Sequence, residues 1–269
     1  MPIDENPRSL MNTGLHSVNG IQMFCEIRGA GVPRLLLHGF TGSSQDWKLI
    51  YPLLPDGVCL IAPDLRGHGR SNNSAGEFTH RQSALDVFAL LDDLGVERFE
   101  AIGISAGGNT LLHMATQQPE RLRAMILVSA TTHFPDEARA LMGRTTIESR
   151  TDEEWAFMRR SHKYGDVQIR ALWRQVAAFK DSYDDMNFTP ETLAAIKART
   201  LIVHGEKDPL YPNAIAEELA RGIPGSRLWI VPGGGHVPIF GETSAKFREI
   251  AAGFFAGADF LRAEGAGSP

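Results

Sequence analysis

Three residues that could together carry out acyl transfer occur in the order serine, aspartate, histidine, each in a glycine-marked turn. Ser105 lies in Gly103-Ile104-Ser105-Ala106-Gly107, Asp208 in His204-Gly205-Glu206-Lys207-Asp208-Pro209, and His236 in Gly233-Gly234-Gly235-His236. A serine hydroxyl is a weak nucleophile at neutral pH, so it needs a base to take its proton and a carboxylate to orient that base. G-x-S-x-G between a strand and a helix is a tight turn that lifts the hydroxyl above the sheet. Glycines two residues either side of the serine remove the Cβ atoms that would collide there. Each element has a plainer reading when taken singly. Glycine-rich turns join many strands to helices, an aspartate can cap a turn, and a loop histidine can simply face solvent. The order of the three, each just past its own apolar run, points to one site.

Acyl transfer also needs two backbone amides preset around the developing negative charge. Ala106, next after the serine, supplies one. The other is expected from Phe40 in His38-Gly39-Phe40-Thr41-Gly42, which follows the apolar run Arg34–Leu37. The chain order assigns the base to His236 and leaves His38 to shape the Phe40 loop through hydrogen bonds. Substrate contacts are expected from Phe40, Met142, Trp155 and Val237. Phe134, Met158, Trp173 and Phe179 are further candidates for an apolar lining, the alternative being that they pack helices together. Arg159, Arg160, Arg170 and Arg174 can meet a carboxylate or form a solvated helix face. The nine histidines show no H-x-H or H-E-x-x-H spacing, so neither metal nor cofactor is expected.

The elements that must position these residues follow from patterning. Leu15–Val18 and Ile21–Phe24 flank Asn19-Gly20, a strong hairpin signal because both turn positions need positive φ. Short, nearly continuous apolar runs follow at Arg34–Leu37, Val58–Ala62, Phe99–Ile104, Ala124–Val128, Thr200–Val203 and Arg227–Val231. Such runs suit strands buried on both faces of a parallel sheet. Between them lie helical stretches, one opened by Thr79 and Gln82 as a capping box and closed at Gly95. The alternation predicts an α/β fold with a doubly wound, mostly parallel sheet. Residues 131–199 break the rhythm, being far longer than a connection and one helix need. They contain their own helix signals: Thr151-x-x-Glu154, an apolar line from Ile169 to Phe179, and Thr189-Pro190. The reading is a helical cap (131–199) inserted into a core domain (15–130 and 200–262), placed over the strand ends where ligands bind. Residues 1–14 and 263–269 read as flexible tails.

Composition narrows the remaining classes. The chain has 269 residues, 27 Lys and Arg against 32 Asp and Glu, and a net charge of −5. That mild acidity gives no electrostatic reason to expect nucleic acid. Cys25 and Cys59 stand apart from any C-x-x-C setting and read as buried thiols. No apolar run approaches a bilayer span, and the polar start lacks the pattern of a secretory signal. A soluble, cytoplasmic protein is expected, with a small-molecule ester or lactone and water as its partners, no membrane, and a homodimer as the oligomer to test.

The sequence resembles the α/β-hydrolase superfamily. His38-Gly39, Asp64-x-Arg66-Gly67-His68-Gly69-x-Ser71, the Ser105 turn, Gly205-x-x-Asp208 and Gly235-His236 match in order and spacing, over about residues 15–256 with the cap outside the match. The resemblance places His68 in a structural loop below the site. A serine at 105, where haloalkane dehalogenases and epoxide hydrolases have aspartate, argues against both. Gly39-Phe40-Thr41 and Ala106 depart from the Gly-Gly-Pro loop and the tryptophan of proline iminopeptidases. What the resemblance leaves is a serine carboxylesterase, with a lactonase using the same three residues as the alternative. A carbon–carbon bond hydrolase and a slow-turnover ligand receptor on the same fold stand further off. Replacing Ser105 by alanine should lower kcat at least about 10³-fold with the fold preserved. Near-wild-type turnover, measured beside an unchanged circular dichroism spectrum, would remove Ser105 from the mechanism.

Overall fold

A computed structural model describes residues 13–258, so the expected tails fall almost wholly outside the described residues. Eight strands form one sheet: β1 (Gly14–Val18), β2 (Ile21–Gly29), β3 (Val32–Leu37), β4 (Val58–Pro63), β5 (Phe99–Ile104), β6 (Leu122–Val128), β7 (Arg199–Gly205) and β8 (Arg227–Val231). Their order is β1-β2-β4-β3-β5-β6-β7-β8. β1 and β2 form the hairpin at Asn19-Gly20, with φ of 44° and 79° at the two turn residues. β2 is antiparallel to β4, and every later pairing is parallel. Burial on both faces explains the unbroken apolar runs. Met125 and Leu127 of β6 join the core on one face, while Ala124, Ile126 and Val128 join the core on the other.

Nine helices of α type are present among the described residues: α1 (Trp47–Ile50), α2 (His80–Asp93), α3 (Ala106–Gln117), α4 (Asp136–Arg144), α5 (Asp152–Ser161), α6 (Gly165–Ala178), α7 (Pro190–Ala194), α8 (Asn213–Gly222) and α9 (Ser244–Phe255). α2, α3 and α8 cover one face of the sheet, and α1 and α9 the other. α2 is capped by Thr79, whose hydroxyl accepts the Gln82 N–H. The reciprocal half of the expected capping box is missing, because the Gln82 side chain donates to Asp86 instead. Thr151 and Glu154 do form a complete capping box on α5.

α4, α5 and α6 form an excursion between β6 and β7 in the chain. Ile147, Met158 and Ile169, with Trp155 and Trp173 against them, give it a small core of its own. Leu193 of α7 packs against Gly222 of α8, and Leu193, Ile196 and Ala198 belong to the core of the sheet, as do Ala138 and Met142 of α4. Polar bonds seam the excursion to the loops after β3 and β4. The His162 Nδ1 accepts the Gly69 N–H at 2.9 Å, its Nε2–H donates to the Thr41 carbonyl at 3.0 Å, and Gln168 donates to the Gly67 carbonyl at 2.9 Å.

Asp64 anchors that loop. It is fully buried just past β4, accepts the Ser44 N–H at 2.7 Å, and accepts the Arg70 N–H and Nε–H at 2.8 and 3.1 Å. These bonds tie the segment just after the Phe40 loop to the loop after β4. Asp64→Ala leaves the buried amides and part of a guanidinium unmatched, and should cost about 3 kcal/mol or more in urea unfolding. A loss below about 1 kcal/mol would show that water replaces those bonds cheaply.

Candidate active site

Ser105 occupies the turn from β5 into α3 with φ 50° and ψ −114°, a left-handed conformation that costs a non-glycine residue roughly 1–3 kcal/mol. The turn is possible only because its neighbours are glycines. A Cβ on Gly103 would lie 2.5 Å from the Gly107 carbonyl oxygen, and one on Gly107 would overlap the Leu37 carbonyl. The strain directs the hydroxyl to His236: Ser105 Oγ and His236 Nε2 are 2.9 Å apart. On the other side of the ring, Nδ1 lies 2.8 Å from Asp208 Oδ2. With Nδ1–H donating to the carboxylate, Nε2 keeps a lone pair for the serine proton.

Asp208 is fully buried at its side chain. Burial alone would raise its pKa, but the His236 bond and the Leu210 and Tyr211 amides on Oδ1 bring it below the ordinary carboxylate value. Tyr211 packs edge-on against the His236 ring at 5.3 Å, and His204 donates Nε2–H to the Tyr211 carbonyl. Gly205 allows the Asp208 and His236 loops to meet, since a Cβ there would overlap the Gly235 carbonyl.

A cavity of about 400 Å³ opens above Ser105 and His236. Phe40 and Ala106 line it, and neither of their backbone N–H groups has an acceptor among the described residues. Met142 lines it, as do Phe134, Trp173 and Phe179. Trp155 and Met158 do not. They pack in the small core between α5 and α6, and the guanidinium groups of Arg159 and Arg170 both lie over the Trp155 ring. Val237 is 46% exposed and stands outside the lining.

The four arginines also lie elsewhere. Arg159 pairs with Asp166, Arg170 pairs with Glu148, and Arg174 lines a separate depression beside Arg170. Arg160 lies over the Phe157 ring. The arginine that does line the cavity is Arg150, set over the Trp173 ring and bonded to Glu154 and Ser149. Sequence reasoning missed it because it precedes α5 and has no helical period to mark it. Asn109, Tyr211 and His80 were missed too. Among the described residues no group of three His, Cys, Asp or Glu side chains is placed to hold a metal ion.

His38 has the loop-shaping place expected of it. Nδ1–H donates to the Gly39 carbonyl at 2.7 Å and Nε2 accepts the Leu65 N–H at 2.9 Å, so both ring nitrogens are committed. His68 is fully buried and its Nδ1 bonds the Arg66 carbonyl.

A model described as the alpha/beta hydrolase family matches residues 35–250. The chain is 29% identical over 264 residues to a 2-hydroxymuconate semialdehyde hydrolase of Pseudomonas sp. (strain CF600), covering 89% of this chain and 92% of that protein. A meta-cleavage product hydrolase from Pseudomonas fluorescens IP01 superposes with a TM-score of 0.76 at 19% identity, covering 93% of this chain and 99% of that one. Est816, described as an N-acyl homoserine lactone degrading enzyme, superposes with a TM-score of 0.68 at 26% identity, covering 89% and 99%. No helix among the described residues is long and apolar enough to cross a membrane.

Buried imidazoles around the site give it a pH signature. Burial pushes His38 down to about 4 against the opposing pull of Asp64, and pushes His113 down to about 4 against Asp185. His68 and His162 move the same way for the same reason. Below the ordinary imidazole value the unfolded chain binds protons that the folded chain refuses, so this stability is complete above about pH 6.5 and lost as pH falls toward 4. Asp46, raised by burial to about 6, has the opposite sign and recovers a part. Urea unfolding should show stability level near neutrality and falling by at least about 3 kcal/mol between pH 6.5 and 4.5. A flat profile would mean that these rings are protonated in the folded protein.

Proposed function

The chain belongs to the alpha/beta hydrolase family, and on that premise we propose that it is a serine hydrolase of carboxylic esters with small to medium acyl groups. The observation that carries this reading is the unbroken hydrogen-bonded line from Ser105 Oγ through His236 to Asp208 in a largely apolar cavity. As Oγ attacks the ester carbonyl, His236 Nε2 takes its proton, and Asp208 steadies the imidazolium from Nδ1. The free amides of Phe40 and Ala106 receive the oxyanion. His236 then gives its proton to the leaving alcohol, which departs and leaves an acyl group on Ser105. Water, deprotonated by His236, attacks that acyl group and releases the acid. A lactone follows the same steps with its alcohol still tethered, and the 26% identity to Est816 supports including cyclic esters.

A second reading, hydrolysis of a carbon–carbon bond beside a carbonyl, draws support from Arg150 in the cavity and from the Pseudomonas relative. A muconate semialdehyde carries a carboxylate, and an arginine fork is suited to hold one.

The two separate in one comparison. Initial rates are measured on p-nitrophenyl esters from acetyl to dodecanoyl, on γ-lactones and N-acyl homoserine lactones, and on 2-hydroxymuconate semialdehyde. The ester reading expects sustained turnover of the shorter acyl esters and kcat/KM at least tenfold lower for the semialdehyde. Turnover confined to the semialdehyde would establish the second reading. A single burst on every ester would make the protein a ligand receptor.

A further inference from the structure

The cavity has a second histidine–carboxylate pair that the chemistry at Ser105 leaves unused. His80 is the first residue of α2, and Asp185 belongs to the segment returning from the cap to the sheet. Asp185 Oδ2 accepts the His80 backbone N–H at 2.7 Å and its Nδ1–H at 2.6 Å, and Oδ1 accepts the Arg81 N–H at 3.0 Å. Burial would raise this carboxyl, but the His80 ring and the two amides hold it down to about 2. Helix capping does not account for a histidine here, because Thr79 already caps α2. Nor does packing require a polar ring. His80 stacks on Phe179 at 5.3 Å and abuts Phe78 at 5.4 Å, an aromatic wall in which phenylalanine would serve.

With Nδ1–H committed to Asp185, Nε2 retains a lone pair. It has no partner among the described residues, and His80 lines the same cavity as Ser105 and His236. Its side of the cavity follows from the roles already assigned. The leaving alcohol must lie where His236 can protonate it, beside Leu210 and Tyr211. Phe40, on the oxyanion side, packs on Phe179 at 5.0 Å, and Phe179 in turn carries the His80 ring. The His80 wall, joined to Phe40 through Phe179, is assigned to the acyl group.

We propose that His80 Nε2 is a specificity-determining acceptor for a hydroxyl on the acyl chain, away from the scissile carbonyl. This rests on the ester reading and narrows it to hydroxyacyl esters. A plain acyl chain would leave a desolvated acceptor unpaired, an unmatched group worth roughly five- to hundredfold in selection.

The test compares kcat/KM for p-nitrophenyl esters of 3-hydroxybutanoate and 6-hydroxyhexanoate with those of butanoate and hexanoate. It uses the wild-type protein, His80→Asn and His80→Gln. Asparagine can place an amide N–H where Nδ1 stands but cannot reach the position of Nε2. Glutamine can place a carbonyl at Nε2 but gives up the Asp185 bond. The wild type should favour one hydroxyacyl ester over its plain partner about tenfold or more. That ratio should fall to near unity in the asparagine variant and survive in the glutamine variant. A purely structural histidine predicts the reverse, and that outcome overturns the proposal, as does a wild-type ratio near unity for both pairs. If the asparagine variant does not fold, loss of the ratio in the glutamine variant overturns it. Calorimetric binding of the free hydroxy acids and plain acids to Ser105→Ala reads the same ratio without turnover. Failure of the ester chemistry and failure of this proposal are thereby distinguished.

Discussion

α3 lies so close to the sheet that no side chain fits at Gly103 or Gly107, and the arrangement at the carboxyl edge of the strands follows from that approach. A Cβ on Gly103 would meet the Gly107 carbonyl, and one on Gly107 would meet the carbonyls of Leu37 and His38. β3 and β5 are paired in parallel with Leu37 opposite Gly103. The close fit therefore fixes the Ser105 turn and the start of the Phe40 loop against one another. A second close approach, at Gly205, brings the Asp208 loop onto the backbone of Gly234 and Gly235. Positions that must agree to a fraction of an ångström are thus set by backbone against backbone, where side-chain rotation contributes no slack.

The same packing dictates where charge can reside. Desolvation acts against ionised groups beneath the site, and the buried rings of His38, His68, His113 and His162 answer it by staying neutral. Asp208 stays ionised because three hydrogen bonds from His236, Leu210 and Tyr211 outweigh its burial. Negative charge is thereby concentrated on one side of His236, opposite the serine. Asp185 repeats that solution with His80, whose ring lines the same cavity as His236. Two carboxylates of the same design thus orient two imidazoles that line one cavity.

Much of this was legible in the sequence, and the boundary of what was legible has a physical cause. The strands, the hairpin and the placement of Ser105, Asp208 and His236 depend on local backbone chemistry, which glycine spacing and apolar runs record directly. Helical period, in contrast, states which residues share a face but not what that face meets. Trp155 and Trp173 look equivalent in the sequence. Both pack against the small core of Ile147, Met158 and Ile169, but Trp173 also lines the cavity and Trp155 does not. Likewise Thr189-Pro190 correctly marks a helix start, while nothing local shows that α7 packs on α8 rather than over the site. Arg150, Tyr211 and His80 reach the cavity from turns and a helix end, where no periodic pattern exists to reveal them. Gln82 illustrates a smaller limit: its spacing from Thr79 suits a capping box, but Asp86 competes for its amide and wins.

Ser105 is proposed as the one serine made nucleophilic by its surroundings. The direct test is reaction of the native protein with a fluorophosphonate ester, followed by intact-mass measurement and peptide sequencing. The account predicts one phosphonyl group per chain, carried on Ser105, with labelling abolished in His236→Ala. Modification of a different residue, or undiminished labelling of Ser105 without His236, would contradict it.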